Sequence, residues 1–227
     1  MKTKTIWMSV VIALAGIAGV VSSAQADMIF SLNKAEANLG PAPYGTVTLQ
    51  AGIDSVGKND VIVTVDLFPS YFYANTGNAN SHTPFVFNLA SLATSKVTLD
   101  PASTFFTVLP SNVGPFTNTP YGTFNSGIGM ASGVKNGATG VNQQLKFTVT
   151  TTSAANGIQF SDFIASTGVN AGNFFSADLA GLTTGNVASS AGLNVPNGGP
   201  PLPEPATIAL LSLGLMGLGF AARRKSM

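Results

Sequence analysis

Chemistry needs side chains that titrate, attack or bind, and this chain carries few of them. Its one histidine, His82, stands in the loop-like stretch Asn80-Ser81-His82-Thr83-Pro84. With Asp66 or Asp100 it could serve a serine–histidine–aspartate triad. No Gly-x-Ser-x-Gly elbow marks a nucleophile. A zinc site draws on several His or Cys ligands, and the chain has one histidine and no cysteine. His82 therefore reads as a loop histidine. Paired carboxylates could hydrolyse a glycoside. However, Asp54, Asp60, Asp66, Asp100, Asp162 and Asp178 are scattered, and Glu36 is the single glutamate between the two ends. Asp66 falls on the polar face of an alternating run, while Asp162 and Asp178 lie beside apolar residues and suit turn caps. Asp54 and Asp60 bracket a turn that could take calcium, but the EF-hand pattern is missing and ordinary turn chemistry accounts for both. The expectation is a non-enzyme with no catalytic residue, no metal site and no cofactor.

The densest aromatic cluster is Phe68-Pro69-Ser70-Tyr71-Phe72-Tyr73. In an extended segment Tyr71 and Tyr73 share a face. Exposed rings with a polar handle can stack on sugars, so this pair is the candidate carbohydrate-stacking site. Burial in the core is the competing reading, because large apolar patches are unusual on monomers.

The last residues carry a different kind of chemistry. Pro203-Glu204-Pro205 holds a lone glutamate in extended backbone, since proline fixes its own φ and pushes the preceding residue extended. An uncharged run of 17 residues follows, Ala206 to Ala222, and then Arg223-Arg224-Lys225. A helix of that length spans about 25 Å, at the short end for a bilayer. The basic cluster acts as a cytoplasmic stop by the positive-inside rule. This order of parts resembles the PEP-CTERM sorting signal over residues 203–227, about a tenth of the chain. The resemblance implies a Gram-negative bacterium with an exopolysaccharide system. It also implies recognition by an exosortase, a membrane enzyme that cleaves at or near Pro203-Glu204-Pro205.

The other end agrees with export. Lys2 and Lys4 precede an apolar stretch, Ile6 to Val21, and Ala24-Gln25-Ala26 supplies a small-x-small cleavage site before Asp27. That is the pattern of a secretory signal peptide that engages the Sec machinery. The sole tryptophan, Trp7, lies in the removed piece.

Between the signals the composition is unusual. Charged residues make up 8% of the chain, against about 25% in typical domains. Half of the ten basic residues lie in the terminal signals, so residues 27–202 hold five lysines against eight carboxylates, a net charge of −3. That balance lacks the basic footprint of a nucleic-acid binder. A cysteine-free exported chain must also be held by its core alone.

The elements that position these residues are strands. Thr46 to Ala51, Val61 to Leu67, Phe85 to Leu89, Val97 with Leu99, and Leu145 to Val149 alternate with period two. Met28-Ile29-Phe30 begins a first strand. Phe105 to Leu109, Phe124 to Met130, Ile158 to Ile164 and Phe174 to Leu179 are weaker candidates. Turn-rich joints separate them, Pro110 to Pro120 among these, and no amphipathic helix of useful length appears. The expectation is an all-β, antiparallel β-sandwich of seven to nine strands, with a jelly roll or irregular barrel as the alternative. Four segments follow: a signal peptide (1–26), an extracytoplasmic domain (27–189), a flexible Gly/Pro/Asn-rich stalk (190–202) and the sorting signal (203–227) with its transmembrane helix (206–222). The function expected is a cell-surface or extracellular-matrix protein associated with exopolysaccharide or biofilm, held at the inner membrane during transit. A carbohydrate-binding or adhesion module is the alternative, and a hydrolase with an unrecognised site is the third reading.

Overall fold

The computed structural model describes residues 27–53, 57–74, 82–90, 94–110, 114–132, 134, 144–151, 157–164 and 173–189. The cleavage residues Ala24 and Ala26, the stalk, Pro203-Glu204-Pro205, the helix expected at 206–222 and Arg223-Arg224-Lys225 lie outside them. Asp54 and Ser81 do too. Among the described residues no helix is long and apolar enough to cross a membrane.

The body is all-β and antiparallel. In chain order its strands are β1 (Met28–Ala35), β2 (Gly45–Ile53), β3 (Asn59–Leu67), β4 (Phe72–Tyr73), β5 (Phe85–Phe87), β6 (Ser95–Leu99), β7 (Phe106–Val108), β8 (Phe116–Thr117), β9 (Thr123–Phe124), β10 (Ser126–Met130), β11 (Leu145–Thr151), β12 (Phe175–Ala180) and β13 (Thr184–Ser189). Alternation builds the longest of them. Val47 and Leu49 of β2 pair with Val65 and Val63 of β3, and Val65, Val63 and Val61 pair in turn with Leu145, Phe147 and Val149 of β11. All of these side chains are buried, so one face of three neighbouring strands forms a continuous apolar wall.

Eleven strands join in one sheet, ordered β6-β11-β3-β2-β1-β13-β12-β5-β10-β7, with β4 sharing an edge of β12 with β5. The sheet curls. From β11 to β5 is six strand steps, or about 29 Å along a flat sheet. Yet the rings of Phe147 and Phe87 sit 5.2 Å apart. Phe85, Phe87, Phe147, Phe163 and Phe175 meet inside the roll. The two edge strands are consecutive in the chain, joined by residues 100–105, so the roll nearly closes as a barrel. This single rolled sheet stands in place of the two separate sheets expected of a sandwich and is nearer the barrel alternative.

The strand count also exceeds the expectation: thirteen among the described residues. The two-residue strands β4, β8 and β9 are too short to show a period. β13 falls at the end of the expected domain (27–189) in a stretch without an alternating apolar pattern, yet it lies between β1 and β12, with Gly185 to Ser189 buried. Its side chains are small because both faces are covered. At Ile158–Ile164 the weak strand candidate is instead a turn and a short helix, α1 (Ser161–Ile164). Asp162 explains it, since its carboxylate accepts the Gln159 N–H at 2.8 Å and closes the turn.

Candidate functional site

Alternation on β12 divides its side chains between two faces. Phe175, Ala177 and Leu179 enter the core, which leaves Ser176 and Asp178 on the outside of the roll. Register places them in two rows. Lys34 of β1, Ala188 of β13 and Ser176 lie across one row, and Asp178 pairs with Asn186 in the next. Glu36 follows β1 beside Asn186, and its N–H bonds the Asn186 carbonyl at 2.9 Å.

Ser176, Asp178, Ala188 and Asn186 of this face are fully buried, while Lys34 is half-buried and Glu36 exposed at its margin. The β8–β9 hairpin lies over the face, held by a small second core of Phe116 and Phe124 on Val86, with Leu109 against them. Gly127 permits that approach, because a Cβ there would stand 3.1 Å from the Phe116 ring. Asn118, fully buried, staples the hairpin to the sheet. Its amide accepts from Thr83 N at 2.8 Å and donates to Thr83 O at 3.1 Å and Ser176 Oγ at 3.3 Å.

At one margin sits His82. Its backbone takes φ = 56°, in the left-handed region that costs an ordinary residue about 1–2 kcal/mol. Contacts on both sides hold it there: its N–H bonds Thr117 O at 3.1 Å, and its ring meets Asn186 Nδ2 at 3.2 Å. The ring also faces Asp178 Oδ1 at 4.0 Å, with the carboxylate wholly buried and the imidazole side chain 33% exposed. Asn186 Nδ2 further donates to Thr119 O at 2.7 Å and Glu36 Oε2 at 3.3 Å. Two amide protons thus serve three acceptors from three parts of the chain. Nearby, Lys34 Nζ donates to Asn173 Oδ1 at 2.9 Å. Burial and the Glu36 charge push the Tyr121 phenol up to about 12.

The aspartate beside His82 is therefore neither of the two weighed from sequence. Asp66 accepts from Gln144 Nε2 at 2.6 Å, and Asp100 caps the Ala102 N–H at 2.9 Å and lies 4.0 Å from Lys146 Nζ. Asp178 is a buried strand residue and not a turn cap. His82 contacts the Asn186 amide and the Asp178 carboxylate. The arrangement fastens a hairpin to a sheet. The His/Cys/Asp/Glu side chains of the described residues form no group of three able to hold a metal ion.

Of the two readings of Tyr71 and Tyr73, burial in the core agrees with the structure and the candidate stacking site does not. Tyr73 is fully enclosed, its ring 5.0 Å from Phe106, and Tyr71 packs edge-on against Tyr44 at 5.1 Å. Neither ring face is open to a sugar. Burial, then the Asp66 charge, holds the Tyr73 phenol well above its ordinary value, and burial with Tyr44 beside it raises that of Tyr71. The residues around them, Phe68 and Phe72, are the exposed ones.

Residues 201–225 match the family model described as the PEP-CTERM protein-sorting motif. The chain thus ends in a sorting signal of that kind, carried behind an all-β body. The motif implies export, membrane-associated transit and processing by an exosortase-type membrane enzyme. No curated protein and no solved structure matches the chain.

Proposed function

We propose that this chain is a non-enzymatic protein delivered through an exosortase system to the cell surface or extracellular matrix, where it associates with exopolysaccharide or biofilm. The sorting motif at residues 201–225 carries the delivery part. The body supports the rest. Asn118 and Asn186 fasten the β8–β9 hairpin to the sheet, and charged residues are only 8% of the chain, so its polar character comes largely from hydroxyls, amides and backbone, which hydrogen-bond readily in a hydrated matrix. The expected route has Sec export, cleavage before Asp27, an inner-membrane stage held by 206–222 and Arg223-Arg224-Lys225, and release near Glu204. Mass spectrometry of the mature protein from its native host should show loss of residues 1–26 and of the tail beyond Pro203-Glu204-Pro205. An intact C-terminus on the surface protein would refute the sorting part. Unchanged processing of Glu204→Ala would reduce the motif to a spacer.

A further inference from the structure

One ring nitrogen of His82 faces two unlike partners. Its Nδ1 lies 3.2 Å from Asn186 Nδ2 and 4.0 Å from Asp178 Oδ1. An amide nitrogen only donates, and an ionised carboxylate only accepts. The Asn186 amide is fixed in its orientation by its other contacts. Turned over, it would set Oδ1 against Thr119 O and Glu36 Oε2, which Nδ2 now meets at 2.7 Å and 3.3 Å. The contact with Nδ1 therefore needs the ring's lone pair, and the hydrogen of the neutral imidazole sits on Nε2.

The charges around the ring come from several elements. β12 brings Asp178, wholly buried. Glu36, which follows β1, reaches the ring through Asn186 of β13. On the hairpin, the Tyr121 phenol is pushed up to about 12 by burial and then by the Glu36 charge, so it is neutral at ordinary pH. Lys34, the cation of this face, gives its Nζ to Asn173 Oδ1 at 2.9 Å. The charges facing the ring are thus the carboxylates of Asp178 and Glu36. Solvent reaches the imidazole, whose side chain is 33% exposed.

We propose that His82 is a proton-operated clasp between the β8–β9 hairpin and the sheet. In its neutral form Nδ1 competes with Thr119 O and Glu36 for the two Asn186 amide protons. Protonation turns Nδ1 into a donor. It then gives up Asn186 and closes roughly 1 Å onto Asp178 Oδ1, to the length of a charge-assisted bond. The two amide protons are left to Thr119 O of the hairpin and to Glu36. The segment that carries the ring is already tied to the hairpin: His82 N–H bonds Thr117 O at 3.1 Å, and Thr83 N–H bonds Asn118 Oδ1 at 2.8 Å. Acid therefore tightens the fastening and alkali relaxes it, over the range of about pH 5 to 8 in which histidine ordinarily changes charge. The clasp does not rest on the delivery reading.

The test is a pH titration of the full isotope-labelled chain in detergent micelles, followed by nuclear magnetic resonance. The Asn186 side-chain amide signals should move in step with the His82 ring signals between about pH 8 and 5. The His82 and Thr83 amides should exchange severalfold more slowly at the acid end, after correction for the intrinsic effect of pH, with β2 and β3 amides as the internal reference. His82→Asn keeps a residue that tolerates the left-handed backbone but does not titrate in this range, and it should abolish both effects. Asp178→Asn should keep the movement of the Asn186 signals and lose the slowing. Asn186 signals that stay fixed while the ring titrates would overturn the proposal. So would effects that survive in His82→Asn, slowing that survives in Asp178→Asn, or exchange that is equal or faster in acid in the parent.

Discussion

Asn186 shows how much a single amide can organise. It is buried, its Nδ2 reaches the Thr119 carbonyl, the Glu36 carboxylate and the His82 ring, and its backbone pairs with Glu36 and Asp178. Asn186→Ala would strand the Thr119 carbonyl over the sheet and leave the His82 ring without its donor. Removing one partner of a buried hydrogen bond costs about 1–3 kcal/mol, so the urea midpoint should fall accordingly. An unchanged midpoint would mean that water replaces the amide. The tyrosines give a pH dependence at the same scale. Tyr71, Tyr73 and Tyr121 are all raised, Tyr121 to about 12. A phenol raised above its unfolded value, about 10, contributes stability that is fully present below that pH. The contribution is lost as pH rises through the folded value. Stability should hold to about pH 10 and fall between there and about 12, with tyrosinate absorbance appearing as the chain unfolds. More than one equivalent of tyrosinate rising well before unfolding would contradict the burial of these rings, since the chain has four tyrosines.

The barrel's opposing walls meet through Phe147 on β11 and Phe87 on β5. Truncating a buried phenylalanine costs about 3–5 kcal/mol, and Phe147→Ala should sit at the upper end because it touches both Phe85 and Phe87. The first rung of β2 is constrained differently. A Cβ on Gly45 would stand 2.4 Å from Asp66 O, so Gly45→Ala must part β2 from β3 at that rung. Overpacking of this kind costs about 1–3 kcal/mol, and hydrogen exchange should quicken at Thr46 and Leu67 before it does elsewhere. β2, β3 and β11 were legible from sequence because Val, Leu and Phe alternate against Thr, Asp and Lys. β13 was not, because a strand covered on both faces by other chain uses Gly, Asn, Ala and Ser, the same alphabet as a linker. The polar layer stayed hidden for a related reason: Ser176 and Asp178 alternate with apolar neighbours as a solvated face would, and no local signal says that the β8–β9 hairpin will cover them. Tyr71 and Tyr73 are legible as a pair sharing a face, but which face is decided by Tyr44 and Phe106, far along the chain.

At the scale of the whole molecule, charge and fluorescence separate precursor from product. The chain carries a formal charge of +1 at neutral pH, and residues 27–202 carry −3 from five lysines and eight carboxylates. The difference lies in Lys2 and Lys4 of the expected signal peptide and Arg223, Arg224 and Lys225 of the sorting motif, together with Glu204, which the released body lacks if the cut falls before it. Trimming at both ends therefore turns a near-neutral, slightly basic chain into an acidic one, and it removes Trp7, the only tryptophan. Both changes are visible without knowledge of the exact cut. Protein recovered from the cell surface should bind an anion exchanger at neutral pH and show tyrosine emission alone. Signal-peptide removal without tail processing gives a distinct intermediate, silent in tryptophan emission yet less acidic because Arg223, Arg224 and Lys225 remain. Material of that intermediate kind at the surface would show that the tail is a permanent anchor, since the two ends report separately on export and on sorting.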